Sequence, residues 1–325
     1  MSKYLITGFS GFVGEHFLDF LNEKKEDDII LGIDIKPPDF LISNYKNLRC
    51  RYEQIDMLNK NELEKIIYQF CPDYVLHLAS YSSVAYSWKN PVASFANNTN
   101  IFLNLLEAIR LTNARCRILS VGSSEEYGRV DAKDLPLKED HKDDPVSPYG
   151  VARVFQEMLS KVYIQGFNLN IFMTRSFNHI GAGQKEIFVV SSFAKQFVLL
   201  AKSGPKEGIL TTGDITIVRD FVDVRDVVKA YNLLFTRGKH GEIYNVCNGH
   251  GIALSRIIDM MSDKLKLKIK LKQDSSLVRP TDNMVIIGSN EKIKEHTGWQ
   301  SNIPIEQSID DILHCWNNII NGYNI

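Results

Sequence analysis

The first strand of the chain runs directly into a glycine-rich turn and then into a helix. The strand Tyr4–Thr7 precedes the helical pattern Phe12–Leu21, and Gly8, Gly11 and Gly14 are spaced G-x-x-G-x-x-G at their junction. In such a turn the first glycine permits the bend, the second lets the backbone approach a pyrophosphate, and the third allows close helix packing. The helix N-terminus then faces the phosphates. The turn therefore predicts dinucleotide binding.

Apolar strands alternate with helical patterns along the first half of the chain, and the second half is less regular. The predicted strands are Tyr4–Thr7, Ile29–Ile33, Tyr52–Ile55, Tyr74–Leu78, Arg117–Val121, Asn170–Arg175 and Ile243–Val246. The predicted helices are Phe12–Leu21, Asn100–Leu111, Tyr149–Gln165 and Phe188–Lys202. This order is typical of a parallel sheet with helices on both faces. We expect an α/β fold: a doubly wound parallel (Rossmann) sheet with a smaller mixed α/β C-terminal substrate lobe.

The chain of 325 residues suits about two domains. We expect residues 1–175, with a return segment at about 218–250, to form the dinucleotide-binding domain. Residues 176–217 and 251–325 would form the substrate-binding lobe. The polar stretch Asp131–Pro148 lies between a strand and a helix, and we expect a lid or a loop at the substrate edge there.

Charge and cysteine content exclude several classes of protein. The 38 basic residues nearly balance 39 acidic ones, so we expect neither a nucleic-acid nor a membrane partner. The five cysteines are scattered without a CxxC motif, which indicates a reducing compartment and no structural zinc. No apolar run approaches membrane-spanning length. We expect a cytoplasmic protein that holds no metal.

Asp34 ends the second strand, twenty residues after Gly14. A carboxylate at that position can accept hydrogen bonds from the adenine ribose hydroxyls and would repel a 2′-phosphate. Ile35 follows it, and no arginine is near. We therefore expect NAD (NADH) rather than NADP. Asp56 is a weaker candidate for the adenine edge.

A tyrosine and a cation stand one helical turn apart at Tyr149 and Arg153. The cation would stabilise a phenolate, which can exchange a proton with a sugar hydroxyl or ketone. Ser123 and Glu125 follow the fifth strand, at the sheet edge where ligands of doubly wound folds bind. Alone, the helical pair would be interpreted as a solvated helix face. Together with the glycine turn, these residues predict an active site.

The whole chain resembles the extended short-chain dehydrogenases/reductases, in the branch that acts on nucleotide sugars. That family has the pattern T-G-x-x-G-x-x-G, a Ser or Thr after strand five, and Y-x-x-x-K; only the last position differs here, where Arg153 stands instead of lysine. The blocks Val121–Gly128, Arg175–Gly181, Val218–Asp226 and Tyr244–Gly249 resemble GDP-6-deoxy-4-keto-mannose reductases most, with GDP-mannose 4,6-dehydratases as close relatives.

The resemblance implies a role for each matching residue. Tyr149 would be the acid/base at the sugar C4 oxygen, Ser123 would share a hydrogen bond with that oxygen, and Arg153 would take the place of the lysine at the nicotinamide ribose. Glu125 matches the carboxylate that removes the C5 proton in dehydratases. The cofactor contacts implied are Gly8, Ser10, Gly11, Phe12, Val13, Gly14, Asp34, Ile35, Asp56, Met57, Leu78, Ala79, Ser80, Asn98, Val121, Tyr149, Arg153, Phe177 and His179.

On the substrate side, the resemblance implies that an amide and two arginines bind the sugar-linked diphosphate. These are Asn178, Arg219 and Arg279, and arginine suits that task through its bidentate fork. The complete set of implied substrate contacts is Ser83, Ser123, Asn178, Val189, Lys195, Arg219 and Arg279. His77 lies inside an apolar strand, and we interpret it as a core histidine.

These observations favour an NAD-dependent oxidoreductase that oxidises a 4-hydroxyl or reduces a 4-ketone of a GDP-manno-type sugar, in the synthesis of surface polysaccharide precursors. A GDP-sugar 4,6-dehydratase and, because of Arg153, a catalytically impaired dinucleotide-binding protein are the alternatives. The family resemblance also implies a homodimer or homotetramer formed through the helices that contain Asn100 and Tyr149.

Overall fold

The computed structural model describes residues 1–204, 206–278 and 283–322. The strands are β1 (Lys3–Thr7), β2 (Ile29–Asp34), β3 (Arg49–Gln54), β4 (Tyr74–His77), β5 (Arg117–Ser123), β6 (Asn170–Ser176), β7 (Asn178–Ile180), β8 (Glu207–Thr212), β9 (Val218–Asp223), β10 (Ile243–Val246), β11 (Gly251–Ala253), β12 (Lys268–Gln273) and β13 (Val285–Ile286). The helices are α1 (Phe12–Lys24), α2 (Lys60–Phe70), α3 (Val84–Lys89), α4 (Pro91–Leu111), α5 (Pro148–Phe167), α6 (Val189–Lys202), α7 (Val224–Arg237), α8 (Leu254–Leu265), α9 (Glu291–Thr297) and α10 (Ile305–Ile320). Every strand and helix predicted from the sequence has a counterpart here.

The large sheet has the strand order β3–β2–β1–β4–β5–β6–β10, and each neighbouring pair is parallel. The chain moves outward from β1 to β3 and then returns to place β4 on the other side of β1. This reversal opens a crevice at the carboxyl ends of β1 and β4, which is where doubly wound sheets bind ligands. The predicted doubly wound parallel sheet is confirmed.

The smaller lobe is built on mixed strand pairing. β9 pairs antiparallel with β11 and parallel with both β7 and β13, while β8 and β12 form a separate parallel pair. The predicted return segment at about 218–250 is therefore divided between the sheets. Its strand β9 belongs to the small sheet and its strand β10 to the large one.

Separate apolar cores hold the layers together. On one face of the large sheet, Phe17 of α1 packs with Leu234 of α7 in one core. On the other face, α2, α4 and α5 contribute residues such as Phe102 and Tyr163. In the smaller lobe, α6, α8 and α10 pack around residues such as Trp316. None of the helices in the described ranges is long and apolar enough to cross a membrane.

Two elements begin three or more residues before their predicted start. Helix α4 begins at Pro91 rather than Asn100, because proline at the first helical position costs no hydrogen bond and the apolar periodicity becomes clear only later. Strand β3 begins at Arg49 rather than Tyr52. It is an edge strand whose exposed Arg49 and Arg51 hide its start from a search for apolar runs.

The polar stretch Asp131–Pro148 is not the expected lid. Leu137 is fully buried, donates its N–H to the Ile287 carbonyl at 2.9 Å and accepts from the Ser289 N–H at 2.8 Å. The Glu139 carboxylate accepts from the Asn245 N–H at 2.8 Å. Because these bonds tie the stretch to β10 and to the segment before α9, it joins the two lobes structurally.

A buried ion cluster lies between α5 and the large sheet. Arg175 of β6 donates from Nε and Nη2 to the two Glu157 oxygens, each at 3.0 Å, and its Nη2 lies 2.6 Å from Asp143 Oδ1. Its Nε is 3.7 Å from Glu126 Oε2. Burial and the neighbouring Glu157 raise the pKa of Glu126 well above its ordinary range. Arg175 is thus surrounded by acidic partners that compensate its charge.

We expect Arg175→Met to lower the free energy of unfolding by about 3–5 kcal/mol, because it leaves buried carboxylates without their cation. Chemical denaturation measures this. The control is Lys161→Met, since Lys161 also contacts Glu157, at 2.8 Å, but is 46% exposed. It should cost less than about 1 kcal/mol. Equal losses in the two variants would contradict a role for burial in this cluster.

Candidate active site

The glycine turn between β1 and α1 is shaped by close backbone approach. Gly8 has φ +67°, and a Cβ there would lie 2.6 Å from the Ala79 nitrogen. A Cβ on Gly14 would run into the Phe9 carbonyl oxygen, and one on Gly11 would lie 3.1 Å from the Gly8 oxygen. These positions therefore accept only glycine without displacement of the backbone. The turn places the N-terminus of α1 at the crevice, as a phosphate cradle requires.

Asp34 reaches back from the end of β2 to this turn. Its Oδ2 accepts from the Ser10 N–H at 3.1 Å, and its Oδ1 accepts from the Ile35 N–H at 2.7 Å. These bonds fix the carboxylate at the edge of the crevice, and a carboxylate has lone pairs left for further donors. Asp34 can therefore accept hydrogen bonds from a ribose beside the turn.

The predicted acid/base pair starts helix α5. Ser147 caps the helix by accepting from the Gly150 N–H at 3.0 Å, and Pro148 occupies the first turn. Tyr149 and Arg153 are 6% and 5% exposed. The Arg153 Cζ lies 5.0 Å from the centroid of the Tyr149 ring, so a full positive charge stands beside the phenol.

Ser123 and Glu125 are held at the carboxyl end of β5 by a short 3-10 turn. The Ser123 N–H donates to Glu126 Oε1 at 2.6 Å, and its Oγ accepts from the Glu125 N–H at 3.2 Å. This capping box fixes where both side chains leave the backbone. Both line the same cavity as Tyr149.

One continuous cavity of about 990 Å³ collects most of the predicted site residues. From the cofactor set it is lined by Gly8, Gly11, Phe12, Val13, Gly14, Asp34, Ile35, Asp56, Met57, Leu78, Ala79, Ser80, Val121, Tyr149, Arg153, Phe177 and His179. From the catalytic and substrate sets it is lined by Ser83, Ser123, Glu125, Asn178, Val189 and Arg219. A cavity of this size has room for a dinucleotide together with a second ligand.

Three predicted residues within the described ranges do not line the cavity: Ser10, Asn98 and Lys195. Ser10 donates its Oγ to the Lys36 carbonyl at 2.7 Å, and Asn98 holds the backbone of Tyr81 through both amide atoms. Lys195 pairs with Glu186 at 3.0 Å. Tyr81 and Glu186 themselves line the cavity. Arg279 lies outside the described residues.

Arg219 and Asn178, both predicted to contact the substrate, line the cavity. Arg219 donates its Nη1 to the Val218 and Asn283 carbonyls, each at 2.9 Å, which fixes the guanidinium beside the cavity. Asn178 starts β7 and is exposed. Ser83 caps α3 by accepting from the Tyr86 N–H at 3.2 Å.

Two histidines near the crevice are neutral; His77 is 1% exposed and His179 is half-buried. Burial and the neighbouring Arg153 lower the pKa of His77 to about 3, and its Nδ1 lies 2.8 Å from Thr7 Oγ1. Burial lowers the pKa of His179 to about 4. Neither takes up a proton at neutral pH. Within the described ranges, no cluster of His, Cys, Asp and Glu side chains could hold a metal ion.

Sequence reasoning missed part of the cavity lining. The cavity is also lined by Thr211, Thr212, Gly213, Asp214, Ser276, Leu277, Val278 and Met284, and by Tyr81, Trp88 and Ile187. These residues come from segments far apart in the chain. They belong to no sequence motif. Gly213, which follows β8, is the one residue among them whose type could have suggested a site.

The chain is similar to known proteins over most of its length. The family model for GDP-mannose 4,6 dehydratase matches residues 5–312. A GDP-6-deoxy-D-mannose reductase of Pseudomonas aeruginosa is 30% identical over 314 residues, which cover 97% of each chain. A GDP-6-deoxy-D-talose 4-dehydrogenase of Aggregatibacter actinomycetemcomitans is 27% identical over 292 residues, 90% of each chain.

A solved structure gives the same result at the level of the fold. The structure of RMD from Pseudomonas aeruginosa complexed with NADPH superposes with a TM-score of 0.85 and 29% identity, covering 98% of this chain and 100% of that one. Fold, motifs and relatives agree over nearly the whole length. The chain therefore belongs to the GDP-mannose 4,6 dehydratase family, within the extended short-chain dehydrogenases/reductases that its motifs predicted.

Proposed function

We propose that this protein is an NAD(H)-dependent oxidoreductase that acts at C4 of a GDP-linked manno-type sugar, by 4-hydroxyl oxidation or 4-keto reduction. One observation carries the proposal: Tyr149, Arg153 and Ser123 line the same cavity as the glycine turn and Asp34. Relatives that are named as a reductase and a 4-dehydrogenase of GDP-6-deoxy sugars support the substrate class.

The residues of the crevice suit a nicotinamide dinucleotide. The glycine turn would hold its pyrophosphate, because its backbone is closely packed and has no room for a Cβ at Gly8 or Gly14. Asp34 would accept from the adenine ribose hydroxyls, and Arg153 and Tyr149 would lie toward the nicotinamide end. Bound there, the dinucleotide supplies or accepts the hydride.

The side chains of the chain itself handle the proton. In the direction of oxidation, the Tyr149 phenolate accepts the proton of the C4 hydroxyl, and in reduction the phenol returns it to the C4 oxygen. Ser123 shares a hydrogen bond with that oxygen, and Arg153 stabilises the phenolate by its charge. Arg219 and Asn178 would bind the diphosphate of the sugar nucleotide.

A GDP-sugar 4,6-dehydratase remains the second candidate, because Glu125 lines the cavity next to Ser123. Its carboxylate could remove a C5 proton after oxidation at C4. Product analysis separates the two candidates, since a simple C4 oxidoreductase leaves the C6 substituent unchanged.

The organisation of the protein follows from this proposal. Residues 1–175, with 218–250, would bind the cofactor, and residues 176–217 and 251–325 would bind the sugar nucleotide. We propose a cytoplasmic enzyme that supplies surface polysaccharide precursors.

The exposed faces of α4 and α5 support a dimer. Val92 is 81%, Met158 60% and Val162 56% exposed, and Phe95 and Val151 add to the same apolar surface. A second copy of this chain would cover these residues and shield them from water.

We expect Tyr149→Phe to reduce single-turnover hydride transfer with a GDP-linked 4-hydroxy or 4-keto sugar by roughly 10²–10⁴-fold, because the proton acceptor is lost. NADH binding should be almost unchanged. The control Tyr163→Phe makes the same change on α5 at a tyrosine that donates to Glu107 Oε1 at 2.6 Å. It should keep full activity. A Tyr149→Phe protein as fast as its parent would refute the catalytic assignment.

We expect the parent to prefer NAD(H), and Asp34→Ala combined with Ile35→Arg to shift the affinity ratio toward NADP(H) by roughly tenfold or more. The Asp34 carboxylate would repel the 2′-phosphate of NADP(H). Like charges a few ångströms apart repel by more than about 1.4 kcal/mol near a protein surface. Fluorescence titration with both cofactors measures the ratio. Asp39→Ala removes an exposed carboxylate that does not line the cavity, and should leave the ratio unchanged. Equal affinity of the parent for both cofactors would contradict the proposal.

We expect at least a dimer by light scattering at micromolar concentration, and a monomer for Met158→Lys combined with Val162→Lys, because charge on the apolar face opposes burial. Leu199→Lys, on an exposed position of α6, serves as the control and should stay oligomeric. A monomeric parent would show that α4 and α5 are not an interface.

A further inference from the structure

Arg153 is held in the cavity wall by a fixed set of acceptors. Its Nη1 donates to the Val121 carbonyl at 3.0 Å and to Gln156 Oε1 at 2.7 Å. Its Nη2 donates to Ser80 Oγ at 2.6 Å. Because the guanidinium is a rigid planar fork, this combination determines its position and its orientation.

The acceptors of Arg153 are all neutral. Glu126 and Glu157 share a small void with Arg153, but both are engaged by Arg175. Among the described residues, no carboxylate forms an ion pair with Arg153, although Glu125 lines the same cavity. The charge of Arg153 is therefore left uncompensated, 5.0 Å from the Tyr149 ring. A carboxylate in contact with Arg153 would reduce the field at the phenol.

Gln156 is itself held in one orientation. Its Nε2 donates to Ser120 Oγ at 2.8 Å and to the Val121 carbonyl at 3.1 Å, which turns Oε1 toward Arg153. It is buried, with 2% of its surface exposed. An amide is the residue that can accept from Arg153 and donate to β5 without adding a charge.

We propose that Gln156 is a positioning residue that fixes the Arg153 guanidinium beneath Tyr149 and keeps its charge uncompensated. This chain would thereby use arginine where the family pattern has lysine. An ammonium is a point charge that needs no pair of coplanar acceptors, whereas the arginine fork does. The inference rests on the proposed function of Tyr149 and Arg153.

Other ionisable groups surround the pair, and their states bear on the test. His77 on β4 and His179 on β7 stay neutral, because burial lowers their pKa values to about 3 and 4. Burial raises the pKa of Tyr231 on α7, so it stays protonated. Glu125 and Glu126 in the 3-10 turn after β5, and Glu157 on α5, also line the cavities that Arg153 shares, and Arg175 pairs with Glu126 and Glu157. They are the same in every variant compared below.

The test is Gln156→Glu, measured against its matched control Gln165→Glu. Both variants add one carboxylate to α5, but Gln165 is exposed and about 18 Å along the helix from Arg153. We expect Gln156→Glu to move the acidic limb of the pH–rate profile for alcohol oxidation upward by about one pH unit, since the phenolate loses part of its stabilisation. Gln165→Glu should not move it. If neither or both variants move the limb, the proposal is wrong.

A second variant tests positioning without added charge. Gln156→Leu removes the acceptor, so we expect NADH binding, followed by fluorescence, to weaken roughly tenfold, the effect of one lost hydrogen bond to a charged group. In an Arg153→Lys background, the same Gln156→Leu change should weaken NADH binding by less than about threefold, because the fork is absent. Equal losses in both backgrounds would show that Gln156 only supports the fold.

The NADH titration also separates this inference from the proposed function. If the parent turns over no GDP-sugar but the Gln156 effect on NADH affinity depends on Arg153, the proposed function fails and the positioning role stands. If the parent is active and Tyr149→Phe is not, but Gln156→Glu behaves like its control, the inference alone fails.

Discussion

The site depends on the close approach of two backbone segments at the point where the sheet changes direction. The turn after β1 packs directly against the segment after β4, and at Gly8 no side chain fits between them. Because of this contact, the N-terminus of α1 faces the crevice and is not covered by the segment after β4. The carboxyl ends of β4, β5 and β6 then lie along the same edge, because all strands of the large sheet are parallel. Residues from the first and second halves of the chain therefore share one cavity.

Two buried arginines, Arg153 on α5 and Arg175 on β6, have different kinds of partner. Arg175 is bound by Glu157 and Asp143, with Glu126 close by, so its charge is compensated and it joins β6 to the helix. Arg153 has only neutral acceptors and lines the cavity. The difference lies in the neighbours, since burial is similar for both. In the proposed function the charge of Arg153 would stabilise the Tyr149 phenolate, whereas the charge of Arg175 is taken up by its carboxylate partners.

Sequence reasoning worked best where a local rule decides the outcome. Apolar strands, helix periodicity and the glycine spacing each depend on a few neighbouring residues. The succession of strands and helices along the first half of the chain could therefore be predicted. It worked less well for β3, whose exposed edge breaks the apolar pattern, and for Asp131–Pro148, whose polar composition concealed an anchored segment. Leu137 is buried in a cluster with Tyr127, Phe177, Cys247 and Ile286, and all of these but Tyr127 lie far from it in the sequence.

The sequence by itself determined the fold class and singled out the glycine turn, Asp34 and the Tyr149/Arg153 pair as candidate site residues. Each of these follows from residue type and short spacing, and the family resemblance extends them along the chain. Only the tertiary structure decided which neighbours Arg153 would have, that Gln156 and Ser80 hold it, and that Lys195 and Asn98 stand back from the cavity. The reason is physical: hydrogen-bond partners and charge compensation depend on distances between segments that the chain brings together only when it folds.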